Sequence, residues 1–222
     1  MPPRMGFVSS DPGVAQIVAA LTCGERLALR RAEANVRLAP DGRARVQQEG
    51  VVQTERESLE LLEARLAEFG GPDLEARFLP FFESFFEATG PQDWVEAQVF
   101  HYIGDALVAE FANDVIRVLD PVSGEVVRRA LCERDEQDAF ALDQVTAALR
   151  DDPARTERVA AYARRVAGEA LTQTRRALDS SEEITELLGG EEGEKRLLLD
   201  LLDKHRRRLD RLGIEAVDAE PE

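Results

Sequence analysis

Hydrophobic residues recur every three or four positions along most of the chain, which is the period that places them on one face of an α-helix. The pattern predicts five long helices, over residues 12–38, from 43 to about 69, and over 94–119, 123–150 and 153–179. A short helical turn, a loose GGEEG linker at 189–193 and a last amphipathic helix follow. No stretch alternates with period two over the length of a strand, so the predicted fold class is all-α.

Asp-Pro pairs mark three of the helix starts, at Asp11-Pro12, Asp120-Pro121 and Asp152-Pro153. An aspartate side chain accepts hydrogen bonds from the free N–H groups of a first turn, and proline is tolerated at the first helical position. Gly70-Gly71-Pro72 ends the second helix, and Asp93 is the predicted cap of the third.

The connection between the second and third helices contains the sequence RFLPFFESFFEA. Half of the ten phenylalanines fall within residues 78–86, at helical spacing: Phe78, Phe81, Phe82, Phe85 and Phe86. The interpretation is a crossover segment that phenylalanines hold against the bundle; the alternative is an aromatic lid over a pocket. One long crossover lets two helix pairs lie antiparallel, so the predicted architecture is a four-helix bundle with additional C-terminal helices.

The chain of 222 residues predicts one helical domain over residues 11–213, with a flexible N-terminus at 1–10 and an acidic tail at 214–222. Its net charge of −16 disfavours nucleic-acid binding, because Lys and Arg must neutralise the phosphates. The strongest basic run, KHRRR at 204–208, is interpreted as the solvated face of a helix rather than an RNA-binding patch.

The sequence predicts a cytoplasmic protein. Its first residues lack the continuous apolar core of a signal peptide, and no apolar run is long enough for a membrane helix. The cysteines, Cys23 and Cys132, lie in different helical stretches, where they indicate thiols rather than a disulfide framework or a zinc site.

Acidic residues interrupt the apolar faces of the predicted helices. Glu25 and Glu55 lie in the apolar stripes of the first two helices, and His101, Asp105 and Glu110 lie within the third. A buried acid costs several kcal/mol unless it is paired, protonated or bound to a metal. These side chains are therefore the candidate functional residues.

Four-helix bundles with one crossover can hold two metal ions, using one carboxylate on each of two helices and a Glu-x-x-His motif on each of the others. The segments CGERLA at 23–28 and IGDALV at 103–108 are locally alike and suggest a duplicated helical hairpin. Glu25 supplies the first carboxylate, and Asp105 (or Glu110, about one turn on) supplies the second.

The other two helices lack the required histidines. The second offers Glu55 followed by Ser58, and the fourth offers Arg134 and Gln137 at the matching depth. A shift by one residue, to Glu133 and Glu136, restores acids but no histidine. His101 lies one turn before Asp105, and a structural His–Asp pair is preferred over metal ligation there.

The segments CGERLALRRAEA, WVEAQVFHYIGDALVAEF and YARRVAGEALTQ, with the fifth helix opened by Asp-Pro, resemble actinobacterial ferritin-like proteins grouped with the tRNA hydroxylase MiaE. The resemblance covers roughly residues 14–213. It implies a ferritin-like bundle and, in members that keep the ligands, a di-iron site that hydroxylates the isopentenyl side chain of a modified tRNA adenosine. The acidic ligand positions match at Glu25, Glu55 and Asp105, whereas the sequence departs at Ser58, Arg134 and Gln137.

Arg134 suggests a substitute for the metals, because a guanidinium pointing inward can pair with two carboxylates. We expect Arg134, with Ser58 and Gln137 as hydrogen-bond partners, to form a core polar network that also includes His101 and Glu110. The alternative is a rotated fourth helix with Arg134 in water.

Two functions follow. The preferred one is a ferritin-like protein without a functional di-iron site or other cofactor, in a structural or interaction role with an unidentified protein partner or as a homodimer. The alternative is a di-iron monooxygenase that modifies tRNA.

Overall fold

The computed structural model describes residues 11–132 and 134–214. These residues form α-, 3₁₀- and π-helices and no strand, which confirms the all-α prediction. The residues predicted as a flexible N-terminus, 1–10, lie outside the described residues, as do 215–222 of the acidic tail. Ile214, the first residue of that predicted tail, is buried in the core.

We call the four long helical segments of the bundle its arms, numbered in chain order. The first two arms form a helical hairpin. Helix α1 (Pro12–Asn35) continues as a 3₁₀ turn (Val36–Leu38), and after a short turn α2 (Gly42–Ala67) packs along its length. Asp11 caps α1 by accepting a 2.8 Å bond from the Gly13 N–H, as its Asp-Pro sequence predicts.

The third arm is helical over the predicted length but is not uniform. Helix α4 (Trp94–Phe100) begins at its predicted cap, Asp93, and leads into a π-helical segment (His101–Asp105). Helix α5 (Ala106–Val115) follows it. A π segment inside an α-helix is rare and frequently lies at a functional site, and this one contains two of the candidate residues.

The prediction of one continuous helix over 123–150 is wrong, because the fourth arm is divided into two helices. Helix α6 (Pro121–Leu131) ends near Cys132, and α7 (Asp135–Asp151) begins after Arg134. Arg134 has φ −125° and ψ 15°, which is not helical geometry. The three acids Asp135, Glu136 and Asp138 in the first turn of α7 favour a helix start there, since they complement the positive end of the helix dipole.

The crossover contains helix α3 (Leu79–Ala88), preceded by a 3₁₀ helix (Pro72–Arg77). Phe78 and Phe85 are buried in the core, as expected of a segment held down by aromatic side chains. Helix α3 packs mainly against α8 (Thr156–Asp179), which also lies against α4. The third Asp-Pro pair, Asp152-Pro153, opens a 3₁₀ turn ahead of α8, and the Asp152 side chain does not cap it.

The C-terminal part contains α9 (Glu182–Leu187) and α10 (Gly190–Arg211). The prediction of a loose linker at 189–193 is wrong, because α10 begins directly after Gly189. The chain turns at Gly189, whose φ of 95° glycine adopts readily. Within the described residues, no helix combines the length and apolar composition that a bilayer crossing requires. Neither Cys23 nor Cys132 is in a disulfide.

The basic run at 204–208 holds α10 against the bundle and is therefore not wholly a solvated face. Lys204 Nζ lies 2.7 Å from Asp114 Oδ2. Arg208 donates to Glu110 Oε1 at 2.9 Å and to Asp138 Oδ2 at 2.8 Å, and its guanidinium lies 5.1 Å from the centre of the Tyr102 ring. These contacts join the last helix to the third and fourth arms.

Replacing Arg208 with alanine is expected to lower the free energy of unfolding by about 2 kcal/mol, because two partly buried carboxylates lose their cation. Arg207→Ala is the matched control, since Arg207 pairs with Asp203 in solvent, and its cost is expected to stay below about 0.5 kcal/mol. Urea denaturation measures both values. Equal losses would show that the Arg208 contacts do not anchor α10.

Candidate functional site

Four elements of the bundle direct polar side chains into its centre. Glu25 comes from α1, Glu55 from α2, His101 and Asp105 from the π segment, and Arg134 from the break between α6 and α7. Glu25 and Glu55 are almost fully buried, with exposed fractions of 2% and 1%, and Arg134 is 9% exposed. The apolar stripes of α1 and α2 fix this burial, since each acid lies on the inward helical face.

Arg134 joins the two glutamates. Its Nη2 donates to Glu25 Oε1 at 2.8 Å, and its Nη1 donates to Glu55 Oε1 at 2.6 Å. Nη2 also reaches Glu55 Oε2 at 3.2 Å, so the contact with Glu55 is bidentate. This is the arrangement that the sequence hypothesis named, and Arg134 is not turned to water. We call Glu25, Glu55 and Arg134 the ion-pair centre.

Ser58 and Gln137 do not make the hydrogen bonds expected of them. Ser58 Oγ donates to the Ala130 carbonyl at 2.7 Å, an oxygen that Arg134 Nη2 also approaches at 3.4 Å. Ser58 therefore shares an acceptor with Arg134, and among the described residues it makes no hydrogen bond to the ion-pair centre itself. The Gln137 Oε1 atom is buried and has no hydrogen-bond partner among residues 11–132 and 134–214.

Asp105 and His101 form the structural pair that the sequence favoured. The Asp105 Oδ2 atom lies 2.5 Å from His101 Nδ1, and His101 Nε2 is buried with no hydrogen-bond partner in the described part of the chain. Asp105 makes no hydrogen bond to Arg134 among the described residues, although their charges interact. Glu110 is also separate from the ion-pair centre, because its carboxylate pairs with Arg208.

Burial and charge set the protonation states of the ion-pair centre. Burial raises the pKa of Glu25 well above its usual range, and repulsion from Glu55 adds to that rise against the attraction of Arg134. Burial would also raise the pKa of Glu55, but the charge of Arg134 and a hydrogen bond from Glu25 outweigh it and lower that pKa. These opposite directions predict that Glu25 carries the proton of the pair and that Glu55 is the anion that neutralises Arg134.

Burial and charge also determine the pKa values of the neighbouring pair, His101 and Asp105. Burial raises the pKa of Asp105 against the opposing effect of His101. Burial alone would lower the pKa of His101, but the hydrogen bond and charge of Asp105 outweigh it, so that pKa is raised. Each member of the pair thus depends on the other for its charge.

These residues do not fit the two-metal site that related bundles hold. Among the described residues, no group of three or more His, Cys, Asp or Glu side chains could hold a metal ion. A guanidinium lies between Glu25 and Glu55, and it stays charged because arginine does not lose its proton in proteins. Glu133, the acid of the alternative pairing with Glu136, lies outside the described residues.

A second feature, an apolar cavity of about 90 Å³, lies between α1, α3, α5 and α8, and the π segment, α9 and α10 each contribute one lining residue. Four of the crossover phenylalanines line it, as do the two glycines of the repeated segments: Phe78, Phe81, Phe82, Phe85, Gly24 and Gly104. Sequence reasoning considered a pocket under this segment but could not place its other walls. The glycines that precede Glu25 and Asp105 in the sequence were the feature that could have indicated these walls.

Comparison with protein families matches residues 9–191 of the chain to the family described as the ferritin-like domain of actinomycetes. The match spans most of the sequence, and the chain belongs to this family. A comparison with curated proteins gave no match.

Glutamine substitutions at Glu25 and Glu55 are expected to lower the free energy of unfolding by different amounts. Glu25→Gln imitates a protonated carboxyl and should cost less than about 1 kcal/mol of unfolding free energy. Glu55→Gln removes the anion that neutralises Arg134 and should cost about 3 kcal/mol. Chemical denaturation at neutral pH measures both, and a larger cost for Glu25→Gln would reverse the assignment of the proton.

The pH dependence of stability tests whether Glu25 carries a proton in the folded chain. The folded-state pKa of Glu25 is raised, so the folded chain keeps a proton that the unfolded chain releases above about pH 4.3. This contribution to stability is complete below the unfolded pKa and is lost as the pH rises through the folded pKa. Wild-type protein should therefore lose stability relative to Glu25→Gln as the pH is raised from about 5. Parallel denaturation curves across that range would contradict this protonation state.

Proposed function

We propose that this ferritin-like protein is non-catalytic and that the ion-pair centre replaces a di-iron site in its bundle. The observation that carries the proposal is the position of Arg134, with one guanidinium nitrogen 2.8 Å from Glu25 and the other 2.6 Å from Glu55. The role that fits this centre is structural, within a protein that acts through interaction with a partner.

The chemistry of the centre supports this proposal. A metal ion bound by Glu25 and Glu55 would face the fixed positive charge of Arg134 in a site of low dielectric constant, where repulsion between cations is strong. Arg134 would have to leave the bundle core before those carboxylates could serve as ligands. Its departure would also break three buried hydrogen bonds to Glu25 and Glu55.

A structural role is consistent with the connections that Arg134 makes. Glu25 and Glu55 come from the first helical hairpin, and Arg134 comes from the fourth arm. Breaking a buried ion pair by removing one partner is strongly destabilising, and such a pair can also fix which faces of two elements meet. The ion-pair centre would thus set the alignment of the two halves of the bundle.

The net charge limits the partner class. At −16 the chain repels nucleic-acid phosphates and attracts basic surfaces. A protein partner with a basic surface therefore suits the chain better than tRNA does, and charge complementarity would speed their encounter.

The second candidate is a di-iron monooxygenase acting on tRNA, which the resemblance to MiaE-type proteins suggests. The observation in its favour is that Glu25, Glu55, Asp105 and His101 are coupled electrostatically around one buried region that includes a π segment. In this reading Arg134 would swing away to admit iron.

Metal analysis distinguishes the two candidates. Wild-type protein incubated with Fe²⁺ without oxygen and then desalted should retain iron far below one ion per chain. Arg134→Met, which removes the cation without adding a ligand, should retain little more. Arg134→Glu combined with Ser58→His supplies an acid and an imidazole and should retain iron, since these donors suit it.

The matched control places the same new donors on exposed faces of α6 and α2, by Arg129→Glu combined with Glu57→His. This double variant should retain no more iron than wild type. Stoichiometric iron pairs in wild-type protein would overturn the non-catalytic proposal and favour the monooxygenase.

A further inference from the structure

The apolar cavity is distinct from the ion-pair centre. None of Glu25, Glu55 and Arg134 lines it, and the described residues that do are all uncharged. Its polar side chains are those of Gln173 and Thr174, and the remaining walls are aliphatic or aromatic. This composition is typical of sites for small apolar molecules, in which few polar groups orient the ligand.

Two glycines, Gly24 and Gly104, allow close packing beside the cavity. A Cβ atom at Gly24 would lie 2.8 Å from a ring carbon of Phe82, closer than carbon atoms approach. A Cβ atom at Gly104 would lie 3.3 Å from Val166 and 3.5 Å from Phe100. The two glycines therefore let α3 and α8 approach the bundle while leaving space beside them.

Helix α3 is also fixed over the cavity. Gln173 on α8 donates to Ser84 Oγ on α3 at 3.2 Å, and its amide also donates to Glu169 at 2.7 Å. These bonds hold the phenylalanine-bearing helix in place and engage the amide hydrogens of the most buried polar lining residue. A ligand in the cavity would thus meet mainly hydrocarbon surface.

We propose that this cavity is a binding site for a small, neutral, hydrocarbon-rich molecule. A charged ligand would lose its hydration without gaining a counter-charge, since no lining residue is charged. The volume of about 90 Å³ is larger than the roughly 10–15 Å³ that one water-sized sphere occupies. The apolar walls offer water few partners, so burial of hydrocarbon is the favourable way to fill the space. The inference goes beyond the proposed function and does not depend on it.

The test titrates the full chain with benzene, a neutral hydrocarbon known to enter small apolar cavities, and measures the heat of binding by calorimetry. Wild-type protein should bind it saturably with one site per chain. Benzoate, an anion built on the same ring, should bind more weakly. Absence of saturable benzene binding would overturn the proposal, and tighter binding of benzoate would overturn the ligand class.

Matched variants locate the site. Ala170→Phe fills the cavity from α8 and should weaken binding about tenfold or more, whereas Ala161→Phe places the same ring on an exposed position of that helix and should leave binding unchanged. Ala177→Phe is a second filling variant, used if the first does not fold. Circular dichroism checks folding throughout. Wild-type affinity in a folded filling variant would place the probe elsewhere and overturn the site.

Discussion

The buried guanidinium of Arg134 is the constraint on which the centre of this bundle depends. Arginine keeps its proton, so its burial requires an anion within hydrogen-bonding distance. Glu55, whose pKa is lowered, is the expected anion, and Glu25, whose pKa is raised, is expected to stay protonated beside it, so that the ion-pair centre would carry little net charge. The break in the fourth arm lies at the same place, since Arg134 directly precedes α7, has a non-helical backbone and extends its side chain to Glu25 on α1 and Glu55 on α2.

Much of this arrangement could be predicted from the sequence. Helical periodicity gave the arms of the bundle, and the positions of Glu25 and Glu55 within apolar stripes predicted their burial. The Asp11-Pro12 and Asp120-Pro121 pairs marked helix starts, because capping is a local interaction between neighbouring residues. Arg134 could be named as a partner because buried acids need a cation or a metal.

The remainder depends on contacts that periodicity does not encode. No proline or glycine marks the break near Cys132, and the π segment at 101–105 keeps the hydrophobic pattern of an ordinary helix. The partner of Glu110 lies 98 residues away on α10, so it could not be identified before that helix was placed. The cavity likewise forms only where several helices distant in sequence converge, and the sequence shows only the phenylalanines and glycines that line it.

The two repeated segments connect the ion-pair centre to the cavity. In each, a glycine lines the cavity and the acid that follows lies in the polar interior: Gly24 before Glu25, and Gly104 before Asp105. Adjacent residues on a helix point about 100° apart, so one dipeptide serves two different surroundings. The glycine allows a neighbouring helix to pack closely, and the buried acid requires a hydrogen-bonding or charged partner. A gain or loss of metal chemistry at the acids would therefore leave the cavity walls in place, so a ligand-binding role can persist in a bundle whose centre holds an arginine.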